Sequence, residues 1–185
     1  MKTCDNASVG ILVIDSAGRH LMFDRNTAPA GCAPAAGHVF DDHPGYTEAA
    51  HAEVSEELGL TVATLELLPV GGWRDNRCRR APGPRGVGHQ WQLYRATVTG
   101  DLAASDRETR NVRWLTPDDM QRLAIRTTLY ACGRLTDVEF AQTPGIEPVW
   151  VRWFAELDII RISPADLGRI DHIAARGTNQ EGETA

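Results

Sequence analysis

The stretch GHVFDDHPGYTEAAHAEVSEELGL, residues 37–60, decides how the rest of this chain is interpreted. Its second half, residues 46–58, contains no Gly or Pro, and Ala50, Val54 and Leu58 recur at the spacing of one helix face. The glycine that follows Leu58 is typical of the residue that ends a helix. The sequence therefore predicts an amphipathic helix over residues 46–58.

Three glutamates of this helix, Glu53, Glu56 and Glu57, stand at positions i, i+3 and i+4 and so share one face. Like charges at this spacing repel by about a few tenths of a kcal/mol per pair. They also lie in the last turns, where the helix dipole favours cations. Acidic pairs on helices are commonly just solvated, but a hard divalent ion such as Mg²⁺ or Mn²⁺ would remove both penalties. We therefore take the three glutamates as candidate metal ligands.

The run from Glu53 to Leu60 resembles the second half of the Nudix box, G-x5-E-x7-R-E-U-x-E-E-x-G-U, where U is a bulky aliphatic residue. Ala52 stands at the box arginine and Pro44 at the first box glutamate, and Gly37 is one residue too far upstream. In that family the arginine and glutamate help to hold the loop against the helix. Both are missing here, which suggests that a pairing was lost as a unit.

The resemblance covers roughly residues 7–120 and implies an α+β fold, an α/β/α sandwich with a mixed sheet. We expect a Nudix-like domain over residues 1–140, a helical extension over 141–176 packed on the same domain, and a disordered tail over 177–185. Apolar runs bounded by turn residues predict a hairpin from residues 8–15 and 20–24 and strands near 60–70, 90–98 and 112–115. Cap signals predict helices that begin at residues 117 and 164.

By resemblance, the function is metal-dependent hydrolysis of a diphosphate bond in a small nucleoside diphosphate derivative or related organic pyrophosphate. The family's mechanism uses a metal-activated water and often a base from a loop before a later strand. Glu108, six residues before Trp114, fits that place, and Asp106 is the nearby alternative, although loop acids are usually just solvated. The degraded front half of the box supports a rival hypothesis, a catalytically silent nucleotide sensor or scaffold.

The substrate side is less determined by the sequence. The loop over residues 71–88 holds five arginines and one acid, which favours either phosphate capture or a soluble insertion. Aromatic residues near it would stack a base, although aromatics on strands are more often core. The candidate substrate-binding residues are Arg74, Arg77, Arg79, His89 and Trp91. Gly37 and His38 are candidate loop residues, and Asp41, Asp42 and His43 are possible additional ligands or loop anchors.

Composition narrows the class of protein. A net charge of −6 argues against wholesale binding of nucleic acid or acidic membranes, and no run reaches the roughly 18 apolar residues of a membrane span. No signal peptide is visible, so we expect a cytoplasmic protein with reduced thiols.

The four cysteines show neither CxxC nor Cys/His zinc-ligand spacing, and a Cys4–Cys78 pairing stays open. The preference for Arg over Lys suits a GC-rich, bacterial genome.

Three aromatic residues, Trp150, Trp153 and Phe154, lie close together in the C-terminal part of the chain. They predict an apolar surface that covers either the domain itself or a second subunit. A homodimer and ordinary core packing are equally consistent with this pattern.

Overall fold

The computed structural model describes residues 2–176, and its strands form two sheets. The larger sheet has the order β4-β1-β6-β5 and is mixed, because β1 runs parallel to β6 while the other neighbours are antiparallel. The smaller sheet has the order β3-β2-β7 and is antiparallel. The strands are β1 Ala7–Val13, β2 His20–Arg25, β3 Cys32–Ala33, β4 Ala35–His38, β5 Thr61–Arg74, β6 His89–Thr99 and β7 Thr109–Leu115.

The helices lie on both sides of these sheets, which confirms the predicted α+β class. The first helix packs on β1, β4 and β5, whereas α2, α4 and α5 surround a second apolar core. The helices are α1 Tyr46–Leu58, α2 Pro117–Ala131, α3 Asp137–Gln142, α4 Pro148–Glu156 and α5 Pro164–Arg176. Within residues 2–176, no helix has both the length and the apolar character needed to cross a bilayer. The predicted disordered tail, 177–185, lies outside the described residues.

The box helix α1 has the bounds that its sequence predicts. Its apolar stripe, Ala50, Val54 and Leu58, is buried, and Gly59 follows in the left-handed conformation with φ 68°. The Gly59 N–H donates to the carbonyl oxygen of Ser55 at 2.9 Å and closes the last turn. The helix end is therefore fixed by local sequence.

The predicted hairpin forms its two strands but not their pairing. The chain turns back at residues 15–19, and an isolated bridge between Ile14 and His20 links the two strands. Beyond that bridge β1 enters the larger sheet and β2 the smaller one. Strand β1 lies in the interior of its sheet, because it pairs with β4 on one edge and with β6 on the other. Every residue of β1 is buried, as this position requires. Strand propensity could not reveal this split.

The C-terminal aromatic residues belong to the core of the chain. Trp150, Trp153 and Phe154 are all 0% exposed. The ring of Trp150 lies 5.5 Å from that of Trp91 on β6, edge to face. Of the two alternatives for these residues, the structure selects core packing, so they offer no exposed face to a second subunit.

Candidate active site

The three box glutamates meet strand β4 in a cleft of about 440 Å³. The Ala36 N–H donates to Glu57 Oε2 at 3.0 Å, which orients that buried carboxylate. Glu53 lies directly against Gly37, where an added Cβ would stand 1.5 Å from Glu53 Oε1. Gly37 is therefore needed for the close approach of helix and loop, and the cleft includes the predicted loop residues Gly37 and His38.

Burial and crowding make two of these carboxylates, Glu53 and Glu57, hard to ionise. Burial, with the charges of Glu56 and Glu108, raises the pKa of Glu53 to about 7. Burial and the neighbouring Glu53 also raise the pKa of Glu57 well above its ordinary value. The protein alone therefore supplies too little positive charge for this face of α1.

Part of the missing positive charge comes from Arg25, at the end of β2. Its Nη1 lies 3.2 Å from Glu147 Oε2 in a buried ion pair. The guanidinium also lowers the pKa of Glu53 and of Glu57, against the larger effect of burial. Arg25 thus brings a cation to the cleft of a chain that has Ala52 at the box arginine position. Sequence reasoning missed it because no spacing relates β2 to α1.

Of the two acids that could act as the general base, Glu108 and Asp106, only one lies in the cleft. Glu108 lines the cleft, and its charge contributes to the raised pKa of both Glu53 and Glu57. Asp106 is exposed and is not among the described residues that line the cleft. Of this pair, only Glu108 faces the box carboxylates.

Basic side chains also line the cleft. Arg79 lines it, together with Arg80, another arginine of the predicted phosphate-capturing loop, and with Lys2, which the sequence had not singled out. Lys2 Nζ lies 3.0 Å from Asp41 Oδ2, and Arg80 pairs with the same carboxylate. The loop residues Asp41, Asp42 and His43 also line the cleft. Cations and carboxylates therefore line the same space.

Two of the predicted substrate-binding arginines lie elsewhere. Arg74 ends β5, which runs further than predicted, so the arginine loop covers only residues 75–88. The Arg74 guanidinium lies 4.1 Å from the centre of the Trp153 ring and pairs with Glu156. Arg77 lines a neighbouring cavity instead, and its backbone N–H donates to the Ala174 carbonyl at 2.9 Å.

The predicted base-stacking residues on β6, His89 and Trp91, are not among the described residues that line the cleft. His89 is 1% exposed and Trp91 is 5% exposed. Side chains two residues apart share a face of a strand, and in β6 that face also carries the buried Leu93. His89 and Trp91 are therefore interior residues, and Trp91 packs against Trp150 and Trp153.

A second cavity of about 220 Å³ adjoins the cleft. Ala28 lines both spaces, and the walls of the second cavity include the stacked rings of Tyr130 and Phe140, 4.2 Å apart. Its lining is largely apolar, in contrast to the charged cleft. The two spaces together offer a polar compartment beside an apolar one.

Comparison with known proteins agrees with this architecture. The NUDIX domain model matches residues 5–132, and the chain belongs to the Nudix family. A MutT protein from Methanosarcina mazei Go1 is similar in fold, with TM-score 0.56, 16% identity and coverage of 85% of this chain and 94% of that one. The E. coli dihydroneopterin triphosphate pyrophosphohydrolase gives TM-score 0.52 at 18% identity, covering 68% and 88%. No curated protein matched the chain in a sequence search.

Proposed function

We propose that this protein hydrolyses a diphosphate bond in a small nucleoside diphosphate derivative or related organic pyrophosphate, with Mg²⁺ or Mn²⁺ as cofactor. The observation that carries the proposal is the convergence of Glu53, Glu56 and Glu57 in a cleft that basic side chains also line. Membership of the Nudix family gives the reaction class. Cytoplasmic location and dimerisation remain predictions.

The donor set fits a hard divalent cation. Carboxylate oxygens are the ligands that Mg²⁺ and Mn²⁺ prefer, and the raised pKa of Glu53 and Glu57 reflects burial together with crowding that a cation would relieve. Glu53, Glu56 and Glu57 would hold the ion. When bound, it would neutralise phosphate oxygens and lower the pKa of water.

The protein's own groups divide the remaining work. Arg79 and Arg80 suit the phosphate oxygens, because guanidinium groups bind them in a bidentate way. Glu108 is the candidate to accept the proton of the attacking water. Ala36 and Gly37 keep Glu57 and Glu53 oriented, through a hydrogen bond and a close contact.

The organic part of the substrate would enter the apolar cavity beyond Ala28. Among the described residues that line the charged cleft there is no Phe, Tyr or Trp, so a base has no aromatic platform there. The adjoining cavity offers Tyr130 and Phe140 instead. We therefore expect selection of the diphosphate in one compartment and of the organic group in the other.

A hydrolysis screen with Mg²⁺ and Mn²⁺ tests the proposal. Substrates would include nucleotide sugars, ADP-ribose, dinucleoside polyphosphates and nucleoside triphosphates, and the expected result is metal-dependent release of a monophosphate product. Glu56→Gln and Glu57→Gln should lose nearly all activity, while Glu48→Gln on the exposed first turn of the same helix is the matched control. Glu108→Gln should lower kcat by about 10²–10⁴-fold and Asp106→Asn should not.

Two results would count against this function. Nucleotide binding without turnover by the unmutated protein would favour the alternative, a silent sensor or scaffold. A wild-type protein that neither binds Mg²⁺ or Mn²⁺ nor cleaves any substrate would overturn both hypotheses.

A further inference from the structure

Outside the three box glutamates, four other side chains meet around one point. Cys4, His38, Cys78 and His89 each direct one ligand atom into a space where all four atoms lie within 4.8 Å of one another. They come from four separate segments: the chain before β1, the end of β4, the arginine loop and the start of β6. No sequence spacing connects them, which explains why the cysteines alone suggested no metal site. We call them the Cys/His cluster.

The separations within this cluster suit tetrahedral metal coordination. Cys4 Sγ lies 3.4 Å from His38 Nε2 and 3.1 Å from His89 Nε2. Zinc bonds of about 2.3 Å to sulfur and about 2.0–2.1 Å to nitrogen give a tetrahedral S···N edge of about 3.5 Å. A thiol carries a single proton, so it can donate to only one of the two imidazoles, and the other contact then needs an N–H donor on the second ring. One shared cation satisfies both contacts.

Hydrogen bonds outside the cluster hold His89 in the form that binds metal. Trp91 Nε1–H donates to Asn76 Oδ1 at 3.2 Å, which identifies that atom as the amide oxygen. His89 Nδ1 lies 2.9 Å from the same oxygen and must therefore be the protonated donor. The lone pair of the neutral ring is then on Nε2, which faces Cys4. Support of this kind is typical of metal-binding histidines.

Burial raises the pKa of the Cys4 thiol to about 11, so a thiolate at neutral pH would need a bound cation, and one neighbouring group would help to stabilise it. The Asn6 backbone N–H donates to Cys4 Sγ at 3.3 Å, a contact that stabilises negative charge on sulfur. Cys4 and His89 are 4% and 1% exposed, so water is largely excluded. Cys78 is half-buried and unbonded to another cysteine.

We propose that Cys4, Cys78, His38 and His89 bind a structural Zn²⁺ ion. Two thiolates and two imidazoles form a closed tetrahedral donor set, and thiolates select zinc over Mg²⁺. The ion would tie the arginine loop, through Cys78, to the two sheet residues His38 and His89. If the proposed function is correct, this tether also holds the next residues, Arg79 and Arg80, over the cleft.

Metal content of the full-length protein tests the proposal without reference to activity. Protein purified with reductant and without chelator should hold about one zinc per chain by mass spectrometry of metals. Cys4→Ser, Cys78→Ser and His89→Asn should each lose most of it. Replacement by Co²⁺ should give the visible absorption of tetrahedral thiolate coordination in the wild type and not in these three variants.

Matched variants distinguish the Cys/His cluster from zinc bound elsewhere on the chain. Cys132→Ser and His172→Asn change exposed residues of the same types and should keep the zinc. Glu56→Gln should also keep it, which excludes zinc bound at the carboxylate cleft. Because Cys78 is on a loop, its variant should remain folded, as circular dichroism would verify.

Three outcomes would overturn the zinc site. The first is wild-type protein that lacks zinc and does not take it up from a competing chromophoric chelator. The second is full zinc occupancy in Cys78→Ser. The third is a Cys4–Cys78 disulfide in protein purified without reductant, seen as an intact mass about 2 Da lower before reduction.

Discussion

Replacement of Glu53 by Gln should stabilise the metal-free protein at alkaline pH. The folded-state pKa of Glu53 is about 7, against an ordinary value of 4.5, because burial and two neighbouring acids disfavour its charge. A carboxylate whose pKa is higher in the folded than in the unfolded state does not reduce the free energy of unfolding while it is protonated in both states. Its cost begins as pH rises through 4.5 and is complete above about 7.

The size of the effect follows from the shift. Each pKa unit corresponds to about 1.4 kcal/mol, so Glu53 would destabilise the fold by about 3 kcal/mol at pH 8. The uncharged Gln removes that cost, and for a chain of this length the gain is worth about 6–12 °C in Tm. At about pH 5 the gain should fall below about 1 kcal/mol, because folded Glu53 is then protonated.

Urea unfolding with excess chelator, at pH 8 and at about pH 5, measures this difference. Glu48→Gln is the control, because Glu48 is exposed on the first turn of the same helix and should change stability by less than about 1 kcal/mol. Mg²⁺ should stabilise the wild type more than the Gln variant. Glu53 does not carry this cost if Glu53→Gln is less stable than wild type at pH 8, or if its gain in stability is the same at both pH values.

Two further substitutions test the packing that forms the site and the core. Gly37→Ala should lower kcat at least about tenfold while circular dichroism stays unchanged, because the new Cβ would displace Glu53. Gly168→Ala is the control, because the space around Gly168 is open. Normal activity of the Gly37 variant would refute the contact between Gly37 and Glu53. Trp150→Ala should lower the free energy of unfolding by about 3–5 kcal/mol in urea. Trp114→Ala, 37% exposed, should cost much less, and equal losses would contradict the assignment of Trp150 to the core.

The box helix could be read from sequence because short-range geometry determines it. The 3.6-residue period relates Glu53, Glu56 and Glu57 to one another and to the apolar stripe, and Gly59 ends the helix through its own backbone conformation. No distant residue has to be known for either inference. The likeness to the Nudix box rests on the same local run.

Strand neighbours and strand faces could not be read in the same way. Alternation along β6 indicates that His89 and Trp91 share a face, but either face of the strand could be the buried one. The aromatic residues of α4 cover that face, so Trp91 is core and not a platform for a base. The hairpin prediction failed for a related reason, since local turn signals do not determine which sheet each strand joins.

The sequence by itself therefore determined helix α1, its three aligned carboxylates and the family to which they point. Only the tertiary structure brought Arg25 and Glu108 to those carboxylates and gathered Cys4, His38, Cys78 and His89 around one point. The difference has one physical cause. Contacts within a helix turn are set by backbone geometry over a few residues, whereas contacts between segments depend on how the sheets and helices pack as a whole.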